Sequence, residues 1–106
     1  MFARKYRLIT FPRDRKSTYI KTPYFTLRIG RNQFPYSRIG IVISKKVDKR
    51  ATVRNQLKRS FRAVLENERI HELGGLDLLF IFQPGIKDHV PDASQEALTI
   101  IKKQKV

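Results

Sequence analysis

KKVDKRATVRNQLKRSFR, residues 45–62, decides how the rest of the chain is read. It holds eight basic side chains, Lys45, Lys46, Lys49, Arg50, Arg54, Lys58, Arg59 and Arg62, against one acid, Asp48. A polar tract of this charge density would stay unfolded, but Val47, Val53, Leu57, Phe61, Val64 and Leu65 recur through and past it at helical spacing. The stretch therefore reads as a folded basic helix. At about 100° per residue, Val53, Leu57, Phe61, Val64 and Leu65 share one arc. Arg54, Lys58, Arg62 and Arg69 share the neighbouring arc, with Asn55 and Arg59 beside them. The helix is split lengthwise between a buried stripe and a basic ridge. Like charges one turn apart repel by roughly a few tenths of a kcal/mol per pair, and no acid interleaves between Arg54 and Arg62. Solvated helix faces usually mix signs; a one-sign ridge calls for phosphates.

The whole composition points the same way. The chain has 106 residues, enough for one domain, and a net charge of +14. That charge repels itself unless a polyanion is the partner, because each neutralised phosphate releases counterions. A membrane-surface protein would want Trp or Leu on a free apolar flank, but there is no Trp and the helix stripe is needed for the core. No membrane partner is expected. The absence of Cys removes disulfides and thiolate metal sites. Residues 1–10 carry Arg4, Lys5 and Arg7 without an apolar h-region, so a cytoplasmic location is expected.

Around the basic stretch the chain reads as β-β-β-α-β-α. Residues 1–17 form a basic arm, with a short strand or turn expected near residues 6–11. Residues 19–30 alternate with strand period, Phe25, Leu27 and Ile29 facing the core and Tyr24, Thr26 and Arg28 facing away. Pro23 limits residues 18–22 to an edge strand or half of a bent one. Residues 36–44 form the next strand, with Ile39, Ile41 and Ile43 inward, Arg38, Gly40, Val42 and Ser44 outward, and Gly40 leaving room for a second backbone. The helix is expected to reach Arg69 or His71 and stop at Gly74-Gly75. Leu76 to Phe82, LDLLFIF, is the expected central strand, parallel to the preceding one. A last helix over residues 92–103 would be capped by Asp92 with Gln95 and bury Ala97, Leu98 and Ile101. The fold class is α+β: a single-layer, mostly antiparallel sheet with helices on one face. Its open face mixes aromatic and Arg side chains, which suits single-stranded RNA better than duplex DNA.

Enzymatic readings find little to use. A protein-only nuclease needs clustered carboxylates or a His pair, whereas Asp48, Asp77, Asp88 and Asp92 are scattered and His71 and His89 have no motif spacing. A helix-turn-helix DNA binder would need a second short helix beside the basic one. A structural RNA-binding protein of ribosomal type shares the size, charge and fold class, and stays open on these grounds.

RIGIVISKKVDKRATVRNQLKRSFR, residues 38–62, resembles the signature of the bacterial ribonuclease P protein subunit, a strand ending Ser-Lys-Lys followed by a helix with Arg-Asn-x-x-Lys-Arg-x-x-Arg. Those positions are Ser44, Lys45, Lys46, Arg54, Asn55, Lys58, Arg59 and Arg62. The resemblance implies a fold like the second domain of ribosomal protein S5, with a left-handed βαβ crossover. It implies that Lys45, Lys46, Arg50, Arg54, Asn55, Lys58, Arg59 and Arg62 meet the catalytic RNA, and that Tyr24, Thr26, Arg28 and Arg38 line the surface for the precursor-tRNA 5′ leader. It implies an accessory subunit, a monomer in a 1:1 ribonucleoprotein, with no catalytic residue or cofactor of its own and Mg²⁺ held through the RNA. Two positions depart from the pattern. Gln56 stands where the family usually has Arg, and Pro12 interrupts the arm where the family has a helix with aromatics, leaving Phe11 as a substitute.

Overall fold

The computed structural model describes residues 4–8 and 16–104. Four strands, β1 (Ser17–Lys21), β2 (Phe25–Arg31), β3 (Arg38–Val42) and β4 (Leu76–Phe82), form one sheet in the order β1-β2-β4-β3. Two helices, α1 (Ala51–Asn67) and α2 (Val90–Gln104), follow β3 and β4 respectively. β1 and β2 are antiparallel, β2 and β4 are antiparallel, and β3 and β4 are parallel. β4 is thus the inner strand expected from its apolar run.

Register puts Phe25 opposite Phe82, Leu27 opposite Phe80 and Ile29 opposite Leu78, while Ile39 and Ile41 reach Leu78 and Phe80 from the other side. All of these side chains are buried. α1 adds Leu57, Phe61 and Leu65, and α2 adds Ala93, Ala97, Leu98 and Ile101. Phe61 makes edge-to-face contacts with Phe25, Phe80 and Phe82 at centroid separations of 6.0, 4.9 and 5.0 Å. Fully burying one such ring stabilises by about 1.5–3 kcal/mol, and each aromatic pair adds about 0.5–1.5 kcal/mol.

The hairpin between β1 and β2 turns at Pro23, where a missing N–H costs nothing. Thr22 Oγ1 accepts the N–H groups of Tyr24 (3.2 Å) and Phe25 (3.0 Å), which closes the turn. Tyr24 therefore precedes β2, and strand alternation does not apply to it. Contrary to the expectation for the open face, its ring packs against the core and lies 5.8 Å from that of His89.

Three boundaries differ from the sequence reading. α1 begins at Ala51, not at Lys45, because Ser44 and Asp48 capture the backbone first: Val47 N–H donates to Ser44 O (3.1 Å) and Arg50 N–H to Asp48 Oδ1 (2.8 Å). α1 ends at Asn67, and Arg69, expected on the ridge, instead takes the left-handed conformation (φ 56°) and pairs with Glu72 at 3.0 Å. Gly74-Gly75 is then the entry to β4, not the helix stop. α2 begins at Val90, with Ala93 N–H donating to His89 O (2.8 Å), so Asp92 lies inside the first turn and is not the cap.

Residues 4–8 of the arm lie along the outer edge of β3. A 3₁₀ turn at Arg4–Tyr6 leads to Arg7, which bridges Ile39, and Leu8 N–H donates to Ile39 O (2.9 Å) with its side chain buried. The rest of the expected 6–11 element, with Phe11, lies outside the described residues. Gly40 is where the arm backbone comes close: a Cβ there would overlap the Leu8 carbonyl oxygen and stand 3.0 Å from Leu79 Cδ1. Gly40→Ala is expected to destabilise the fold by about 1–3 kcal/mol through this overpacking. Denaturant unfolding checks it; an unchanged midpoint would mean that the arm is not seated on β3.

Candidate nucleic-acid interface

The basic stretch divides into a loop, residues 43–50, and the outer side of α1. In the loop Val47 is buried while Lys45, Lys46, Lys49 and Arg50 are exposed. One anchored apolar side chain thus holds four cations outward. Asp48 fixes Arg50 among them and draws in a further cation, Lys87. Its Oδ1 accepts Arg50 N–H (2.8 Å) and Arg50 Nε (3.1 Å), and its Oδ2 accepts Arg50 Nη2 (3.0 Å) and lies 2.7 Å from Lys87 Nζ. These donors hold the Asp48 carboxyl well below the usual carboxylate range, the Arg50 side-chain hydrogen bond being the main cause. Lys87, in the turn after β4, joins the basic loop across 39 residues of sequence (87 minus 48) and carries no motif that would have placed it there.

On α1, Arg54, Lys58 and Arg62 follow one another at one-turn intervals, half-buried, with Asn55 and Arg59 more exposed beside them. The ridge expected from sequence is therefore present between Arg54 and Arg62. Arg54 Nη1 donates to the carbonyls of Asp48 (3.0 Å) and Lys49 (2.9 Å), tying the loop to the first turn of the helix. Lys58 is shifted down by burial and then by the charges of Arg62 and Arg54; Arg62 is shifted down by burial and then by Arg7. Both shifts report partly desolvated cations crowded by cations, a surface that an anion would relieve. Arg7 comes from the arm, and composition alone could not place it near Arg62.

The face of the sheet away from the helices carries Tyr19, Thr26, Arg28, Arg38, Gly40, Val42, Leu79 and Ile81, as the register requires. Tyr19, 56% exposed, lies opposite Arg28, whose guanidinium carbon is 5.4 Å from its ring centroid. Arg28 Nε also donates to Ser17 Oγ (2.9 Å), and Thr26 Oγ1 accepts from Gln83 Nε2 (3.4 Å). Of the four side chains expected to line this surface, Thr26, Arg28 and Arg38 share it and Tyr24 does not. Tyr19 is the aromatic that takes its place; its position opposite Arg28 follows from hairpin register, which was not readable without the turn.

Arg38 is committed within the fold. Its Nε and Nη2 meet both oxygens of buried Asp77 at 2.8 and 2.6 Å, and this pairing raises its pKa. Asn32 Nδ2 adds a third bond to Asp77 Oδ1 (2.8 Å). Asp48 and Asp77, the buried Asp side chains among the described residues, are thus already matched by cations. Among the described residues no group of three His, Cys, Asp or Glu side chains could hold a metal ion.

The model of the Ribonuclease P family matches residues 5–105. The chain belongs to the ribonuclease P protein family. The ribonuclease P protein component of Alcanivorax borkumensis is 32% identical over 106 residues, covering 95% of this chain and 85% of that one. The component from Synechocystis sp. is 45% identical over 56 residues, which is 53% of this chain and 45% of the relative, so this match covers about half of each. Among solved structures, the RNase P protein from Thermotoga maritima superposes with a TM-score of 0.72 at 25% identity, covering 83% of this chain and 84% of that one. Within this family frame, Gln56 is exposed on α1 and leaves the Arg54–Arg62 ridge geometrically intact.

The Asp48 cluster gives a pH signature. A carboxyl whose folded pKa lies below its unfolded value stabilises the fold above about pH 4, and that stabilisation is lost as pH falls further. Asp48→Asn is therefore expected to lower the unfolding midpoint at neutral pH, with the difference from wild type shrinking on acidification below about pH 4. Thermal unfolding across pH measures it; a difference independent of pH would contradict the charge pairing.

Proposed function

We propose that the chain is the accessory protein subunit of a ribonuclease P ribonucleoprotein of the cytoplasm. It binds the catalytic RNA and the 5′ leader of precursor tRNA and supports endonucleolytic removal of that leader. The observation that carries this reading is the α1 ridge, with Arg54, Lys58 and Arg62 in line on the outer side of one helix, joined by the loop cations Lys45, Lys46 and Arg50. Family membership supplies the RNA that such a ridge fits. Mg²⁺ held by the RNA would supply an activated water and charge stabilisation for the leaving oxygen.

The protein's own work is electrostatic and geometric. Cations at the ridge and loop neutralise phosphates of the folded RNA, releasing counterions. The open sheet face presents Tyr19, Thr26 and Arg28 to an unpaired strand, ring faces for stacking and a guanidinium for the backbone. Lowering the repulsion between two polyanions in this way reduces the Mg²⁺ needed to hold them together.

The test adds the purified chain to a bacterial catalytic RNA and a precursor tRNA at low Mg²⁺. Stimulated cleavage at the mature 5′ end is the expected result. No stimulation, together with tight binding to ribosomal RNA, would favour a structural RNA-binding protein of ribosomal type instead.

A further inference from the structure

The turn between β2 and β3 presents an aromatic stack that the ridge and the strand face do not use. Phe34 is 42% exposed, and its ring lies parallel to that of Tyr36, 7° between planes and 5.1 Å between centroids. The Arg38 guanidinium carbon is 5.0 Å from the Phe34 centroid, and Lys5 Nζ is 5.5 Å from that of Tyr36. Tyr6 of the arm closes the far side, edge-on to Tyr36 at 5.2 Å.

The turn is held, not merely exposed. Asn32 Oδ1 accepts Phe34 N–H (2.8 Å), while Asn32 Nδ2 donates to Tyr36 O (3.3 Å), Leu76 O (3.1 Å) and Asp77 Oδ1 (2.8 Å). One side chain thus ties the turn to the entry of β4. The carboxylate at this corner, Asp77, is buried beneath Arg38 and matched by it, so the outer surface offers the two rings, the Arg38 guanidinium plane and the Lys5 ammonium. We infer that Phe34 and Tyr36, with Arg38 and Lys5 beside them, form a stacking platform for one unpaired nucleobase of the leader strand, at the Arg38 end of the open sheet face. The inference rests on the RNA-binding role proposed above. Ring faces accept any base, the Arg38 guanidinium plane can also stack on a base, and Lys5 suits a neighbouring phosphate. An apolar peptide would gain nothing from the Lys5 ammonium.

The experiment uses the full chain assembled with a bacterial catalytic RNA, and measures affinity for precursor tRNAs with leaders of graded length and for mature tRNA. Phe34→Ala and Phe34→Leu are expected to weaken binding of long-leader substrates roughly tenfold, the scale of one lost base stack. Mature tRNA should bind unchanged, and Phe34→Tyr should retain wild-type affinity. Phe34→Leu keeps apolar bulk over Tyr36, so its unfolding midpoint separates lost stacking from lost folding. Equal affinity of all variants for every leader length overturns the platform. So does a loss that is the same for mature tRNA, which would place Phe34 against another part of the RNA or a protein partner. Failure of the wild type to assemble with the catalytic RNA would instead remove the proposed function, and the platform with it.

Discussion

The ring of Phe61, held edge-on by Phe25, Phe80 and Phe82, fixes the rotation of α1 about its own axis. Leu57 and Leu65, buried one turn to either side, leave no second way to seat the helix. Once that stripe is inside, Lys58 and Arg62 can only emerge at the border of the core. Their stems are half-covered and their charged ends reach outward, which is how long cationic side chains bury methylenes and keep their heads wet. The basic ridge is thus a by-product of core packing. A single-residue slip of the stripe would rotate the ridge by about 100°.

Arg50, Lys87, Arg54 and Arg7 are brought to this surface by contacts that tether them. Asp48 gathers Arg50 and Lys87 around a loop whose sequence would otherwise continue the helix. Arg54 binds the loop carbonyls from the first helical turn. Leu8, seated on β3 over Gly40, carries Arg7 toward Arg62. Gathering like charges costs Coulomb energy that the isolated protein does not recover, and it is offset when a polyanion binds. Asp77 belongs to a different class. Buried and bonded to Arg38 and Asn32, it organises the β2–β3 corner.

Local patterning carried much of this into the sequence. The apolar run of β4, the alternation of Phe25, Leu27 and Ile29, and the stripe through Leu57, Phe61 and Leu65 were all legible because periodicity reports burial directly. Gly40 was legible as a place of close approach, though not that the arm's Leu8 fills it. The start of α1 was not legible, because Val47 happens to fall in phase with the helix stripe while hydrogen bonds to Ser44 and Asp48 bend the chain there. Arg69 escaped because a left-handed residue after a helix is usually Gly, and here an arginine accepts that conformation. Lys87, Arg7 and Tyr19 escaped because their places depend on contacts between segments distant in sequence. Tyr24 was misassigned by extending strand alternation through the Thr22 turn.

One helix divides between a buried stripe, Leu57, Phe61 and Leu65, and the basic ridge that we propose meets the RNA. Replacing Arg54, Lys58 and Arg62 together by Glu tests it most directly, with circular dichroism and thermal unfolding measured beside affinity for the catalytic RNA. The account predicts a folded protein with native helix content and RNA binding lost. An unfolded variant would contradict the division of the helix, and a folded variant with undiminished RNA affinity would contradict the role given to the ridge.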